Sequence, residues 1–126
     1  MAEQQILVVE DNEKNMKLVR DVLQATGYST LEASTAGRAI ALAVEHSPAL
    51  VLMDIRLSGM DGLEALKQLR MDSRTERIPV LAVTAQAMKG DRDRFMEAGF
   101  DGYLSKPIDI DELLEAVARF CKRGDG

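Results

Sequence analysis

The sequence predicts an α/β domain: an open, five-stranded parallel sheet with five helices on both faces. Two observations carry that expectation. Short apolar runs alternate with longer stretches whose apolar residues recur at helical spacing, and this strand–helix order repeats five times. The three strongest runs, Ile6-Leu7-Val8-Val9, Ala49-Leu50-Val51-Leu52-Met53 and Val80-Leu81-Ala82-Val83, are apolar throughout, as strands covered on both faces must be. Crossovers between parallel strands are right-handed, and ligands of such sheets sit beyond the carboxyl ends of the strands.

Each element has its own signal. After the first strand, Met16, Val19, Leu23 and Thr26 mark the inner face of a helix, and Gly27 stands where a left-handed cap is needed. Ser29-Thr30-Leu31-Glu32-Ala33 is a weaker run and reads as an edge strand, followed by a helix with Ala36, Ile40 and Ala43 inward. The third helix carries Leu63, Leu66 and Leu69, with Asp61 and Glu64 as its reciprocal start signal. The fourth is predicted from about Ala87 to Ala98, weakened by Gly90 and stopped by Gly99. Gly102-Tyr103-Leu104-Ser105 reads as the second edge strand. The last helix is the clearest, with Ile110, Leu113, Leu114, Val117, Ala118 and Cys121 on one stripe behind an Asp109/Glu112 start.

A length of 126 residues suits one domain, residues 1–126, with a core from about residue 5 to 121 and a frayed tail, Lys122-Arg123-Gly124-Asp125-Gly126. The net charge is −5, and lysines and arginines are interspersed with acids, so no basic patch exists for binding nucleic acid. Cys121 is the only cysteine, which rules out an intramolecular disulfide and fits a reducing compartment. The N-terminus lacks the basic region of a signal peptide, and no apolar run is long enough to cross a bilayer. A cytoplasmic location without membrane insertion is the expectation.

The polar residues at the strand ends carry the chemistry. Glu10 and Asp11 follow the first strand, Asp54 the third, Thr84 the fourth, and Lys106-Pro107 the fifth. Converging carboxylates repel, and burial raises the cost of ionising them, so a divalent cation would relieve both penalties. Magnesium prefers such oxygen donors: Asp11 and Asp54 directly, Glu10 through a water, and the backbone carbonyl of Arg56 from the following loop. A carboxylate can attack phosphorus to give an acyl phosphate, a transfer that depends mainly on positioning and charge neutralisation. Asp54 ends the central strand and is the expected acceptor. Lys106 supplies a compact cation opposite the metal, and the Thr84 hydroxyl a hydrogen bond to a phosphoryl oxygen. Each residue also has a plainer reading: Asp11-Asn12 as a helix start, Lys106 as a solvated loop lysine, Thr84 as a helix cap. Their shared placement at strand ends outweighs these.

The motifs Ile6-Leu7-Val8-Val9-Glu10-Asp11-Asn12, Val51-Leu52-Met53-Asp54-Ile55-Arg56-Leu57, Met60-Asp61-Gly62, Val83-Thr84-Ala85 and Leu104-Ser105-Lys106-Pro107 together resemble the response-regulator receiver domains of two-component signalling, the CheY-like superfamily. The resemblance runs from Ile6 to about Phe120 and implies the strand order 2-1-3-4-5. It implies Asp54 as phosphoacceptor, Glu10 and Asp11 as acidic metal ligands for Mg2+, with Mn2+ able to substitute, Lys106 as phosphate contact, Thr84 as switch hydroxyl and Tyr103 as switch aromatic. It also implies a cis Lys106–Pro107 bond. Ser58 departs from the family, which commonly has proline there. Two stretches, Glu10-Asp11-Asn12-Glu13-Lys14-Asn15-Met16-Lys17 and Ala85-Gln86-Ala87-Met88-Lys89-Gly90-Asp91, are similar to small single-domain regulators of the DivK type, which implies a cell-cycle setting. Receivers joined to hybrid histidine kinases share the second stretch.

The resemblance further implies partners: a histidine kinase or histidine phosphotransfer protein as donor, and a downstream protein on the face made by the fourth helix, fifth strand and fifth helix. Slow self-dephosphorylation is expected rather than turnover, tuned by Arg56 and Gln86 near the pocket mouth, in a monomer or weak dimer. His46 reads as a surface residue and Cys121 as core packing. Alternatives are a receiver excised from a hybrid kinase or larger regulator, and a magnesium-dependent small-molecule phosphatase or phosphotransferase. The latter normally needs a second acid two residues after the nucleophile, where this chain has Arg56. A flavodoxin-like nucleotide binder would want a glycine-rich phosphate loop after the first strand, which is missing.

Overall fold

The structure is a computed structural model, and it describes residues 4–56, 62–85 and 91–121, without the side chains of residues 91 and 92. Ser58, Met60, Asp61, Gln86, the expected helix start at Ala87, Gly90 and the tail 122–126 lie outside the described residues. Five strands and five helices alternate: β1 (Gln5–Val9), α1 (Glu13–Ala25), β2 (Ser29–Ala33), α2 (Ala36–His46), β3 (Leu50–Asp54), α3 (Gly62–Met71), β4 (Val80–Thr84), α4 (Asp91–Ala98), β5 (Gly102–Ser105) and α5 (Ile110–Phe120). All pairings are parallel and the strand order is β2-β1-β3-β4-β5. The two weak runs are the edges, and the three fully apolar runs fill the middle.

Side chains alternate across each strand, and this divides the core in two. Leu7, Val9, Val51, Met53, Val80 and Ala82 face α2, α3 and α4. Ile6, Val8, Leu50, Leu52, Leu81 and Val83 face α1 and α5. The helix ends follow local chemistry. Asn12 caps α1 by accepting from the N–H groups of Lys14 and Asn15, and Asp109 caps α5 by accepting from that of Glu112. Gly27 and Gly99 end α1 and α4 at φ of 105° and 113°, where a side chain would be strained.

Two helix faces differ from expectation. On α5 only Leu113 and Val117 are buried, with Cys121 beyond the end, while Ile110 is 43% exposed and Ala118 is exposed. Ile110 opens the first turn, where the helix has not yet settled onto the sheet. On α2, Ala39 and Leu42 are buried with Ala36 and Ala43, and Ile40 is half-buried at the edge of the stripe.

At the amino-terminal end of the sheet, Arg70 ties two loops together. Its guanidinium donates to the carbonyls of Glu76 (3.1 Å), Ile78 (2.7 Å) and Gly99 (3.0 Å) and pairs with Asp101 Oδ2 (2.9 Å), which also accepts from Val80 N–H (2.8 Å). Replacing Arg70 with Ala leaves three carbonyls and a carboxylate to find other donors. The expected loss is about 2–3 kcal/mol in urea unfolding. Lysine should not restore it, because an ammonium cannot span the fork.

Candidate functional site

The loops at the carboxyl ends of the strands bring the chemistry-bearing residues together. Asp54 is the last residue of β3 and Thr84 the last of β4. Glu10 stands directly after β1 and Lys106 directly after β5. Glu10, Asp54 and Thr84 are only 5%, 4% and 5% exposed, whereas Asp11 is exposed. The main chain holds these ends in register: Glu10 N–H donates to Ala33 O (3.0 Å), Ile55 N–H to Val83 O (3.0 Å) and Lys106 N–H to Thr84 O (2.8 Å). The Lys106–Pro107 bond is cis.

Lys106 Nζ lies 2.9 Å from Glu10 Oε1 and 3.0 Å from Asp54 Oδ2. The remaining oxygens are held by backbone: Arg56 N–H donates to Asp54 Oδ1 (3.0 Å) and Asn12 N–H to Glu10 Oε2 (3.1 Å). Both buried carboxylates therefore have fixed orientations, and Lys106 bridges the outermost strand of the site to its centre. The plainer reading of Asp11-Asn12 as a helix start holds for Asn12, which makes the cap, while the Asp11 carboxylate takes no part in that cap.

Burial pushes the Glu10 carboxyl above its ordinary value, helped by a shared hydrogen bond with Asp54 and only partly countered by Lys106 and the Asn12 N–H. Burial alone would lower Lys106, but its hydrogen bonds to Glu10 and Asp54 outweigh that and raise it. For Glu10 the sign is that of an acid favoured in its protonated form. Its contribution to stability is full below its ordinary value of 4.5 and is lost as pH rises through the raised one. The site thus disfavours a second carboxylate charge beside Asp54, and the one ammonium there offsets that only in part.

The donor set fits a hard divalent cation. Carboxylate oxygens of Glu10, Asp11 and Asp54 lie within 4.8 Å of one another, two of them buried and one open to solvent. Oxygen-only donors with a solvent side suit magnesium, which keeps several of its waters.

The other candidates are distributed around this cluster. Arg56 contributes its N–H, and its residue is exposed. Tyr103 lies on β5, half-buried against the α4 side of the core, with its ring centroid 6.4 Å from that of Phe95. It is therefore a neighbour of the site through β5 and not a member of the acidic cluster. His46 ends α2 at the surface. Cys121 is fully buried, which pushes its thiol up to about 11 and makes it packing.

Gly62 has a structural role in the site that its motif did not announce. Its N–H donates to Ile55 O (2.9 Å), and an added Cβ would stand 2.7 Å from Asp54 O and 2.9 Å from Ile55 Cα. Backbone cannot yield cheaply there. Gly62→Ala is expected to cost about 1–3 kcal/mol, by urea unfolding, and to displace the main chain of Asp54. Only the fold reveals this, because the constraint comes from a strand end eight positions away. Thr75 is similar: it is 1% exposed, and its hydroxyl donates to Leu69 O (2.7 Å) at the end of α3.

Comparison with known proteins agrees with this geometry. The family model described as response regulator receiver domain matches residues 6–118. A polar-differentiation response regulator, DivK, of Brucella ovis is 46% identical over 115 residues, covering 91% of this chain and 94% of the relative. The receiver domain of a sensor histidine kinase from Pseudomonas aeruginosa, solved with a magnesium ion coordinated in its active-site cleft, superposes with a TM-score of 0.86 at 34% identity, covering 94% of this chain and 98% of that one. The chemotaxis protein CheY4 of Vibrio cholerae superposes at 0.88 with 27% identity, covering 95% and 100%. With the strand order, the bridging lysine and the acidic cluster all in place, this chain belongs to the response regulator receiver family.

Proposed function

We propose that this chain is a single receiver domain, residues 1–126, that accepts a phosphoryl group on Asp54 and signals through phosphorylation-dependent protein contacts. The observation that carries the reading is Lys106, whose ammonium touches both Asp54 and Glu10 at the floor of the site. Asp54 and Asp11 would hold Mg2+ directly, with Glu10 through a water and Arg56 through its carbonyl, and Mn2+ would substitute. The ion supplies charge neutralisation for the phosphoryl oxygens. Lys106 neutralises from the other side, and Thr84 donates a hydrogen bond. The donor is a histidine kinase or histidine phosphotransfer protein. A carboxylate oxygen of Asp54 forms the new bond to phosphorus, the P–N bond of the phosphohistidine breaks, and the electron pair leaves on the imidazole, which takes up a proton. Arg56 and Gln86 tune water access and hence slow self-dephosphorylation.

Phosphorylation adds charge and acceptor oxygens at Asp54. Thr84 moves toward them, Tyr103 turns inward, and the face of α4, β5 and α5 changes for its protein target. The DivK relatives, which this chain matches over 94% of their length, support the regulator reading over a receiver taken from a hybrid kinase. They suggest a role in cell-cycle polarity for a cytoplasmic monomer or weak dimer. Among the described residues no helix is long and apolar enough to cross a membrane.

The test is incubation with acetyl phosphate and magnesium, followed by intact-mass measurement. The native chain should gain a phosphoryl group and Asp54→Asn should not. A stable gain in both would remove Asp54 as the acceptor.

A further inference from the structure

Asn12 joins the first helix to the acidic site, and its role there rests on the magnesium part of the reading above. Its side chain closes the first turn of α1. Oδ1 accepts from the N–H groups of Lys14 (3.0 Å) and Asn15 (3.1 Å), and its carbonyl accepts from Met16 N–H (2.9 Å). Its own N–H points the other way, to Glu10 Oε2 (3.1 Å). The helix end is thereby tied to a carboxylate that is only 5% exposed.

That contact sets which oxygen of Glu10 does what. Oε2 takes the Asn12 N–H, so Oε1 is the oxygen that meets Lys106 Nζ (2.9 Å), and Lys106 in turn meets Asp54 Oδ2 (3.0 Å). A chain of fixed contacts runs from the α1 cap through Glu10 and Lys106 to Asp54. The aim of the Asn12 N–H depends on its backbone, which is extended at φ −95° and ψ 119° and not helical. The cap bonds hold it there. Without the side-chain acceptor the first turn loses its partner for two N–H groups, residue 12 is freed, and its N–H loses direction. The same peptide group belongs to Asp11, so the main chain of that acid is held as well. Aspartate would cap equally well, but it would add a carboxylate beside those of Glu10, Asp11 and Asp54. Asparagine caps without that charge.

We infer that Asn12 is a positioning residue for the metal site: its cap holds the peptide between residues 11 and 12 so that the N–H fixes the Glu10 carboxylate. Groups one step removed from a metal typically cost 10–100-fold in affinity when lost.

Calorimetric magnesium titration of the intact chain and of three variants separates the cap from the amide. Asn12→Ala removes both. Asn12→Gln keeps an amide on a side chain too long for the cap, and Asn12→Ser keeps a cap without the amide. Alanine and glutamine should weaken magnesium binding by roughly tenfold, the lower end of that range. Serine should bind as the native chain does. Amide exchange in the ion-free protein should quicken at residue 12 in the first two variants and not in the third. Arg70→Ala, which loosens the opposite end of the sheet, is the control for lost stability: its urea midpoint should fall while its magnesium affinity stays native. The inference is overturned if all three variants bind magnesium natively, if serine fails where glutamine succeeds, or if Arg70→Ala weakens binding as much as Asn12→Ala. A native chain that binds no magnesium would remove the metal reading itself, and this inference with it.

Discussion

Replacing Lys106 with methionine is expected to slow phosphoryl uptake by roughly 10²–10³-fold, the usual cost of removing one fixed charge aimed at developing negative charge in an enclosed site. Methionine keeps the length and packing of the side chain but removes the only cation within reach of both Glu10 and Asp54 among the described residues, at 2.9 and 3.0 Å. Divalent-cation affinity should not fall, because the lost ammonium lies among the same carboxylates that would hold the ion and opposes its charge. The check is two measurements on one preparation. The rate of mass gain with acetyl phosphate at saturating magnesium reports the chemistry, and calorimetric magnesium titration reports the metal site. A variant that lost both equally would make Lys106 a scaffold of the acidic cluster and not a partner of the phosphoryl group. Arginine should restore little, since its broader fork cannot occupy the position of a compact ammonium between two buried carboxylates.

Phe95→Ala is expected to destabilise the fold by about 3–5 kcal/mol, the cost of emptying a well-packed aromatic site. Phe95 is 1% exposed and is the one buried side chain among those described on α4; Met96 is 43% exposed. Its ring meets Phe100 edge-on, with centroids 6.0 Å apart and planes at 82°, and lies 6.4 Å from Tyr103. Truncating it removes the apolar anchor of an eight-residue helix and the surface against which Tyr103 rests. Urea unfolding should show the loss, and hydrogen exchange should show it concentrated in α4 and β5. Phe95→Leu should recover most of the stability, because much of the volume is kept. If Phe95→Ala unfolded with native-like stability, α4 would have to be held by contacts other than this ring.

Much of this architecture was legible along the chain. Leu50 to Met53 and Val80 to Val83 could only be central strands, because runs without polar alternation need cover on both sides, and both are fully buried. Ser29 to Ala33 and Gly102 to Ser105, which lack that cover in composition, are the edges. Gly27 and Asp109 act locally, through a left-handed φ and a side-chain cap, so the sequence was sufficient to place them. Even the acids were legible as a set, because strand ends in a parallel sheet all face the same way.

Tertiary structure alone decided the remainder. That one ammonium serves Glu10 and Asp54 together depends on Lys106 reaching inward from the edge strand β5, past β4, to the ends of β3 and β1, a juxtaposition no local spacing encodes. Gly62 is constrained by the backbone of Asp54, and Arg70 by carbonyls of three separate residues. Ile110 left its stripe for solvent, since helical periodicity assigns a direction but not the distance to the sheet. Periodicity and capping act over a few residues and can be read from the chain itself. Contacts between distant strand ends exist only once the sheet has closed its register.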